Sequence, residues 1–197
     1  MKIYTIIGGV NGVGKSSLSG VLSAEKSDLG IIIDTDKITT EEGGDKVGGG
    51  KTAIKRISDC LHNGVTFTQE STLSGVRTLK TIRKAHDLGY FIRLYYIGLN
   101  SADESIKRIR NRVEKGGHNI SSEDVQRRYS KRFEDLAKVL YDCDEVRFFD
   151  NENGFVEKAE FKDGKLIRKS EKWPTWLEDL QKYLEVLYVY AHRLQDF

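Results

Sequence analysis

The sequence predicts an α/β chain, a doubly wound parallel sheet with helices on both faces, and three observations lead there. Short β-type runs alternate with helical patterns from residue 3 to residue 150. The run at 3–7 leads straight into Gly8, Gly9, Gly12 and Gly14 and then into a helix-permissive stretch from Lys15, a strand–loop–helix order. The run at 30–34 is continuously apolar up to Asp34 rather than alternating, which is how a strand buried on both faces reads.

The remaining elements follow in order. Strands are expected at 65–70, 90–98 and 145–150, and helices at 52–63, 74–88, 101–115 and 121–141. The segment at 41–50, with Gly43, Gly44, Gly48, Gly49 and Gly50, reads as a flexible loop where an acceptor would have to enter. Beyond Asn151 the pattern changes to a hairpin, 155–161 and 165–169, joined through Asp163-Gly164, a pair suited to positive φ. Trp176, Leu180, Tyr183, Leu184, Leu187, Tyr188, Ala191 and Leu194 then recur at three- and four-residue spacing and predict one amphipathic helix over 175–194. That helix is expected to pack on its own domain, the alternative being a dimer or antitoxin contact through Trp173, Trp176 and Tyr183.

Composition bounds the function. At 197 residues, 38% hydrophobic and 31% charged, the chain is long enough for one domain with a real core, expected to span 1–197. Its two cysteines, Cys60 and Cys143, exclude a disulfide scaffold and suit a reducing, cytoplasmic setting. The apolar run near the N-terminus is too short and too glycine-rich to span a membrane or to act as a signal peptide, so no membrane partner is expected. Thirty-two basic against thirty acidic residues give a net charge of +2, which argues against a dedicated nucleic-acid binder. Nineteen glycines against one proline suggest places where backbone must approach something closely.

The first such place is Gly9-Val10-Asn11-Gly12-Val13-Gly14-Lys15-Ser16, which fits G-x-x-x-x-G-K-[ST]. A triphosphate has to be wrapped by successive backbone N–H groups and faced by a helix N-terminus, so loop side chains must be small or absent. Gly9, Asn11, Gly12, Val13, Gly14, Lys15, Ser16 and Ser17 are therefore the candidate nucleotide contacts, with Lys15 reaching the β/γ-phosphates of ATP (or GTP) and the Ser16 hydroxyl ligating Mg²⁺.

The next strand ends in Asp34-Thr35-Asp36, where open α/β sheets place their ligands. One carboxylate can hold Mg²⁺ or its water shell, and Asp34 is assigned to it; Asp36 can then take the proton of an attacking hydroxyl. A third acidic group, Glu70, ends the strand at 65–70 and is a candidate to bind an acceptor hydroxyl, with Ser71 and Thr72 as further donors.

Charge that balances globally does not balance locally. Residues 105–132 carry nine lysines and arginines against three acidic residues, a local excess of six positive charges on an otherwise acidic chain. Two helices joined by Gly116-Gly117-His118-Asn119 suggest an arginine-rich lid that closes over polyphosphate, with Arg112 and Arg128 as the catalytic pair and His118 as an acceptor contact. Asn151, after the last parallel strand, is a candidate contact to the base or to the loop.

With the glycine loop, Asp34-x-Asp36, Gln69-Glu70-Ser71-Thr72-Leu73-Ser74-Gly75, Arg112 to His118, Arg127-Arg128-Tyr129 and Asp150-Asn151 in this order, the chain resembles the zeta-toxin-like family of P-loop kinases over roughly residues 2–151. The resemblance implies a nucleotide-kinase-like P-loop NTPase fold with a helical lid near 105–132, followed here by a C-terminal hairpin and helix over 154–197. It implies transfer of the ATP γ-phosphate to the 3′-hydroxyl of the amino sugar in UDP-N-acetylglucosamine, with an antitoxin protein as partner in a toxin–antitoxin pair. By position, Lys15 matches the loop lysine, Asp36 the base, Glu70 the acceptor-binding glutamate, and Arg112 and Arg128 the lid arginines. Two other readings of the same motifs stand beside it, an ATPase or nucleotide-switch module and a nucleic-acid kinase.

Overall fold

The computed structural model describes residues 1–193. Its strands are β1 (Ile3–Gly8), β2 (Ile31–Ile33), β3 (Phe67–Ser71), β4 (Phe91–Gly98), β5 (Glu145–Asp150), β6 (Val156–Lys162) and β7 (Lys165–Arg168). Its helices are α1 (Lys15–Glu25), α2 (Thr35–Glu41), α3 (Lys46–Asn63), α4 (Arg77–Asp87), α5 (Ala102–Glu114), α6 (Ser122–Ser130), α7 (Arg132–Leu140) and α8 (Thr175–Arg193). Leu194, expected on the apolar face of the last helix, lies outside the described residues.

All seven strands join one sheet in the order β2-β3-β1-β4-β5-β6-β7. The first five are parallel, and β6 and β7 add an antiparallel hairpin at one edge. Asp163 and Gly164 turn that hairpin at φ 51° and 76°, as the Asp-Gly pair predicts. Strand β1 lies centrally between β3 and β4, which puts the glycine loop that follows it at the middle of the carboxyl edge.

Alternation along β1 divides the core. Tyr4 and Ile6 join the larger cluster with side chains of α3, α4, α7 and α8, whereas Ile7 joins Leu18 and Leu22 of α1. Both faces are thus covered, unevenly.

Three expectations need correction. β2 is an edge strand: Ile31 and Ile32 are exposed and only Ile33 is buried, because β3 rather than β2 pairs with β1. The predicted glycine loop at 41–50 is largely helix, since α3 starts at Lys46 and takes in Gly48, Gly49 and Gly50. Gly49 lies against Thr39 of α2, where a Cβ would collide with that residue's backbone and side chain, so the glycine allows two helices to cross in close contact. The helix expected over 121–141 is two helices. Val125 of α6 packs with Ile106 and Ile109 of α5, while Phe133, Leu136, Val139 and Leu140 of α7 pack on the sheet, and one straight rod cannot face both ways. Trp173 and Trp176 are buried in the chain's own core, with Trp176 Nε1 donating to Asp150 Oδ1 at 2.9 Å, so helix α8 packs on its own domain, the leading expectation, and neither tryptophan forms the outward contact given as the alternative. Among the described residues no helix is long and apolar enough to cross a membrane.

Candidate active site

The glycine loop is packed closely against the backbone of its neighbours. A Cβ on Gly9 or Gly12 would come within 2.5 Å of the Ile97 carbonyl or 2.6 Å of the Ser105 carbonyl, so packing against β4 and α5 demands glycine as firmly as a phosphate would. The Gly9 N–H donates to the Ser71 carbonyl at 3.2 Å, tying the loop to the end of β3. Within the loop, Asn11 and Val13 are buried. Lys15 Nζ folds back to donate to the Gly9 and Val10 carbonyls at 3.0 and 3.1 Å. Burial lowers the Lys15 ammonium from its ordinary value, and the carboxylates of Glu70, Asp36 and Asp34 act against that.

Three acidic side chains gather around the start of α1. Asp34 caps α2 through Oδ1, which accepts from the Asp36 and Lys37 amides at 2.9 and 3.2 Å, and this leaves Oδ2 3.1 Å from Ser16 Oγ. Ser16 Oγ also lies 2.8 Å from Glu70 Oε2, and Ser19 Oγ donates to Glu70 Oε1 at 2.7 Å. Glu70 is buried, and burial followed by the nearby Asp34 charge pushes its carboxyl above the ordinary value. Expected as an acceptor contact, Glu70 spends both oxygens on α1; its carboxylate belongs to the Ser16–Asp34 cluster. Asp36 stands exposed in the first turn of α2.

Two cavities open onto these groups. One, about 540 Å³, runs from Gly12, Gly14, Ser16 and Ser17 to Arg108, Arg112 and Asn151. The other, about 510 Å³, is walled by Asp34, Ser71, Thr72, Arg77 and Arg128. Both are lined by Asn11, Lys15, Asp36 and Glu70, which form the boundary between them.

Of the lid residues, Arg128 is brought to the loop, its Nη1 donating to Asn11 Oδ1. Arg112 faces the larger cavity, with Nη2 donating to the His118 carbonyl at 2.7 Å. His118 is not brought to either cavity; its contribution is that carbonyl. Ser71 Oγ accepts from the Leu73 amide and bonds Thr78 Oγ1, and Thr72 Oγ1 donates to Ser74 Oγ, so both hydroxyls also shape their own turn. Asn151 contacts the loop, donating from Nδ2 to the Val13 carbonyl at 2.8 Å. Two cavity arginines were not singled out from the sequence, Arg108 being counted only as a member of the basic cluster. Arg108 sits one turn before Arg112 on the same face of α5, a spacing that would have found it, whereas Arg77 opens α4 just beyond the Gln69–Gly75 motif.

No protein-family model matches the chain. It is 32% identical over 126 residues to an uncharacterized protein of Haemophilus influenzae, a match covering 61% of this chain and 88% of that protein. The chain belongs to the family of that Haemophilus protein. Among solved structures, a chain of the PezAT chromosomal toxin–antitoxin system of Streptococcus pneumoniae superposes with a TM-score of 0.63 at 17% identity, covering 100% of this chain and 87% of the other. A chain of the AvrRxo1-ORF1:-ORF2 complex with ATP gives 0.60 at 16% identity, over 86% of this chain and 61% of the other. A chain of the Pnkp1/Rnl/Hen1 RNA repair complex gives 0.58 at 16% identity, over 88% and 50%. This member of the Haemophilus protein's family therefore has the α/β fold of the zeta-toxin-like P-loop kinases.

Proposed function

We propose that the chain is a P-loop kinase that moves the γ-phosphate of ATP, or GTP, to a hydroxyl of a small acceptor, a nucleotide sugar such as UDP-N-acetylglucosamine. One observation supports this reading above the others: two cavities of similar size meet at Lys15 and Asp36, one bounded by the glycine loop and the other by carboxylates, hydroxyls and arginines. A motor or switch needs the first cavity only. The second, at about 510 Å³, has the volume of a small-metabolite site, which favours that class over a nucleic-acid strand.

In this reading the loop amides and Lys15 hold the polyphosphate. Ser16 and Asp34, with Glu70 behind them, are hard oxygen donors spaced closely enough to hold Mg²⁺, which would neutralise phosphate charge. Asp36 accepts the acceptor's hydroxyl proton while its oxygen bonds to the γ-phosphorus and the bond to the nucleoside diphosphate breaks. Arg112 and Arg128 stabilise charge on the transferring group, and Ser71 and Thr72 donate to the acceptor. The PezAT chain belongs to a toxin–antitoxin system, and a toxin role with an antitoxin partner is the corresponding cellular reading.

The test is a screen of the full chain with labelled ATP and a metabolite panel that includes UDP-N-acetylglucosamine, with mass analysis of products. A phosphorylated nucleotide sugar, lost in Asp36→Asn, is the expected result. Hydrolysis of ATP with no acceptor modified would overturn the kinase reading in favour of a switch, and a labelled oligonucleotide would move it to a nucleic-acid kinase.

A further inference from the structure

We infer that Asn151 is a positioning residue that aims the Gly14 amide at the nucleotide's phosphates, and that Arg108 holds Asn151 in place to do so; the inference rests on the nucleotide-binding reading above. The Val13 carbonyl and the Gly14 N–H belong to one planar trans peptide, so they point in opposite directions. Asn151 Nδ2 draws that carbonyl toward itself at 2.8 Å, and the Gly14 N–H is thereby turned to the far side of the loop. The contact is tight. A Cβ on Gly14 would lie 2.5 Å from Asn151 Nδ2 and 3.3 Å from the Phe155 ring, so the loop rests flush on the segment that leaves β5.

Arg108 completes the arrangement from the lid side. Its Nη2 donates to the Asn151 carbonyl at 2.7 Å, and its Nε pairs with Glu104 Oε1 at 3.0 Å one turn earlier on α5. The guanidinium lines the larger cavity, yet its fork is engaged by protein groups, unlike a free phosphate clamp. A continuous chain of contacts, Glu104 to Arg108 to Asn151 to Val13, thus joins the lid helix to the phosphate loop.

A mis-aimed loop amide weakens a diphosphate more than a monophosphate, because the monophosphate makes less use of the cradle. The experiment is calorimetric titration of the full chain with ADP and with AMP at fixed Mg²⁺ and salt. Asn151→Asp and the uncharged Asn151→Ala should each weaken ADP about tenfold while leaving AMP within about twofold, and Arg108→Met should shift the same ratio less. Thermal unfolding of each variant identifies one that fails to fold, in which case the remaining two carry the test. An unchanged ADP/AMP ratio in Asn151→Ala overturns the inference, as does a loss in Asn151→Asp alone, which would be charge repulsion. Lys15→Ala separates the two levels: wild-type chain that binds ADP no better than this variant overturns the nucleotide-binding reading and the inference with it.

Discussion

Ser16 Oγ lies 2.8 Å from Glu70 Oε2, so the helix that follows the glycine loop is hydrogen-bonded to the carboxyl end of β3. The contact places a buried carboxylate beside Asp34, and both the pH response of the fold and the response to a divalent cation follow from it.

Glu70 has its carboxyl raised by burial and by Asp34. A raised carboxyl favours the neutral form in the fold, so its contribution is fully present below the ordinary carboxylate range and is lost as pH rises through the raised value. Chemical denaturation of the ligand-free chain from pH 4 to 8 should therefore show wild type losing stability relative to Glu70→Gln as pH rises. Mg²⁺ should stabilise wild type more than the variant at the upper end. A difference that runs the other way would show that the charged form is the favoured one.

Asp36 is exposed, so its replacement should spare the fold and strike the chemistry. Asp36→Asn is expected to lower kcat by roughly 10²- to 10⁴-fold with an unfolding midpoint close to wild type. Single-turnover assays would separate this from a change in nucleotide binding, which should stay near the wild-type value.

Gly49 and Gly50 are neighbours in α3 with opposite surroundings. A methyl group on Gly49 meets Thr39 of α2, so Gly49→Ala should destabilise by about 1–3 kcal/mol. Gly50 faces open space, and Gly50→Ala should stabilise by about 0.5–1 kcal/mol through helix propensity alone. Paired urea titrations check both signs.

Trp176 lies over Gly98 and donates to the buried Asp150. Trp176→Phe keeps most of the apolar area but leaves that carboxylate without its indole donor, at an expected cost of about 1–3 kcal/mol. Adding Asp150→Asn should return part of the loss, because a neutral amide is cheaper to leave unpaired than a charge.

Arg128 donates to Asn11 at the boundary of the two cavities. Arg128→Ala should lower kcat by more than it raises KM for the nucleotide if the guanidinium acts on transferring charge. A rise in KM with kcat unchanged would assign it to binding alone.

Local chemistry made much of this legible in advance. The glycine loop, the order of the strands along the chain and the Asp163-Gly164 turn are short-range patterns decided by backbone sterics and side-chain period, and each is found in the order the sequence predicts. The lid arginines were visible as a charge cluster, though the cluster could not say which of them turn inward. Misreadings fall where distant packing overrides composition. Three glycines in a row look like a loop until α2 lies against the middle one, and a continuous Ile run looks doubly buried until the sheet order leaves it at an edge.

By itself, then, the sequence determined the fold class and named candidate residues for gripping phosphate and holding a proton, because both readings depend on residue type at fixed spacing. Only the tertiary structure decided that Glu70 turns to Ser16 and Ser19, that Asn151 braces Val13, and that Arg108 ties the lid helix to that brace. Those contacts join residues remote along the chain, and which partner a buried polar group finds is settled by strand order and helix packing rather than by any local signal.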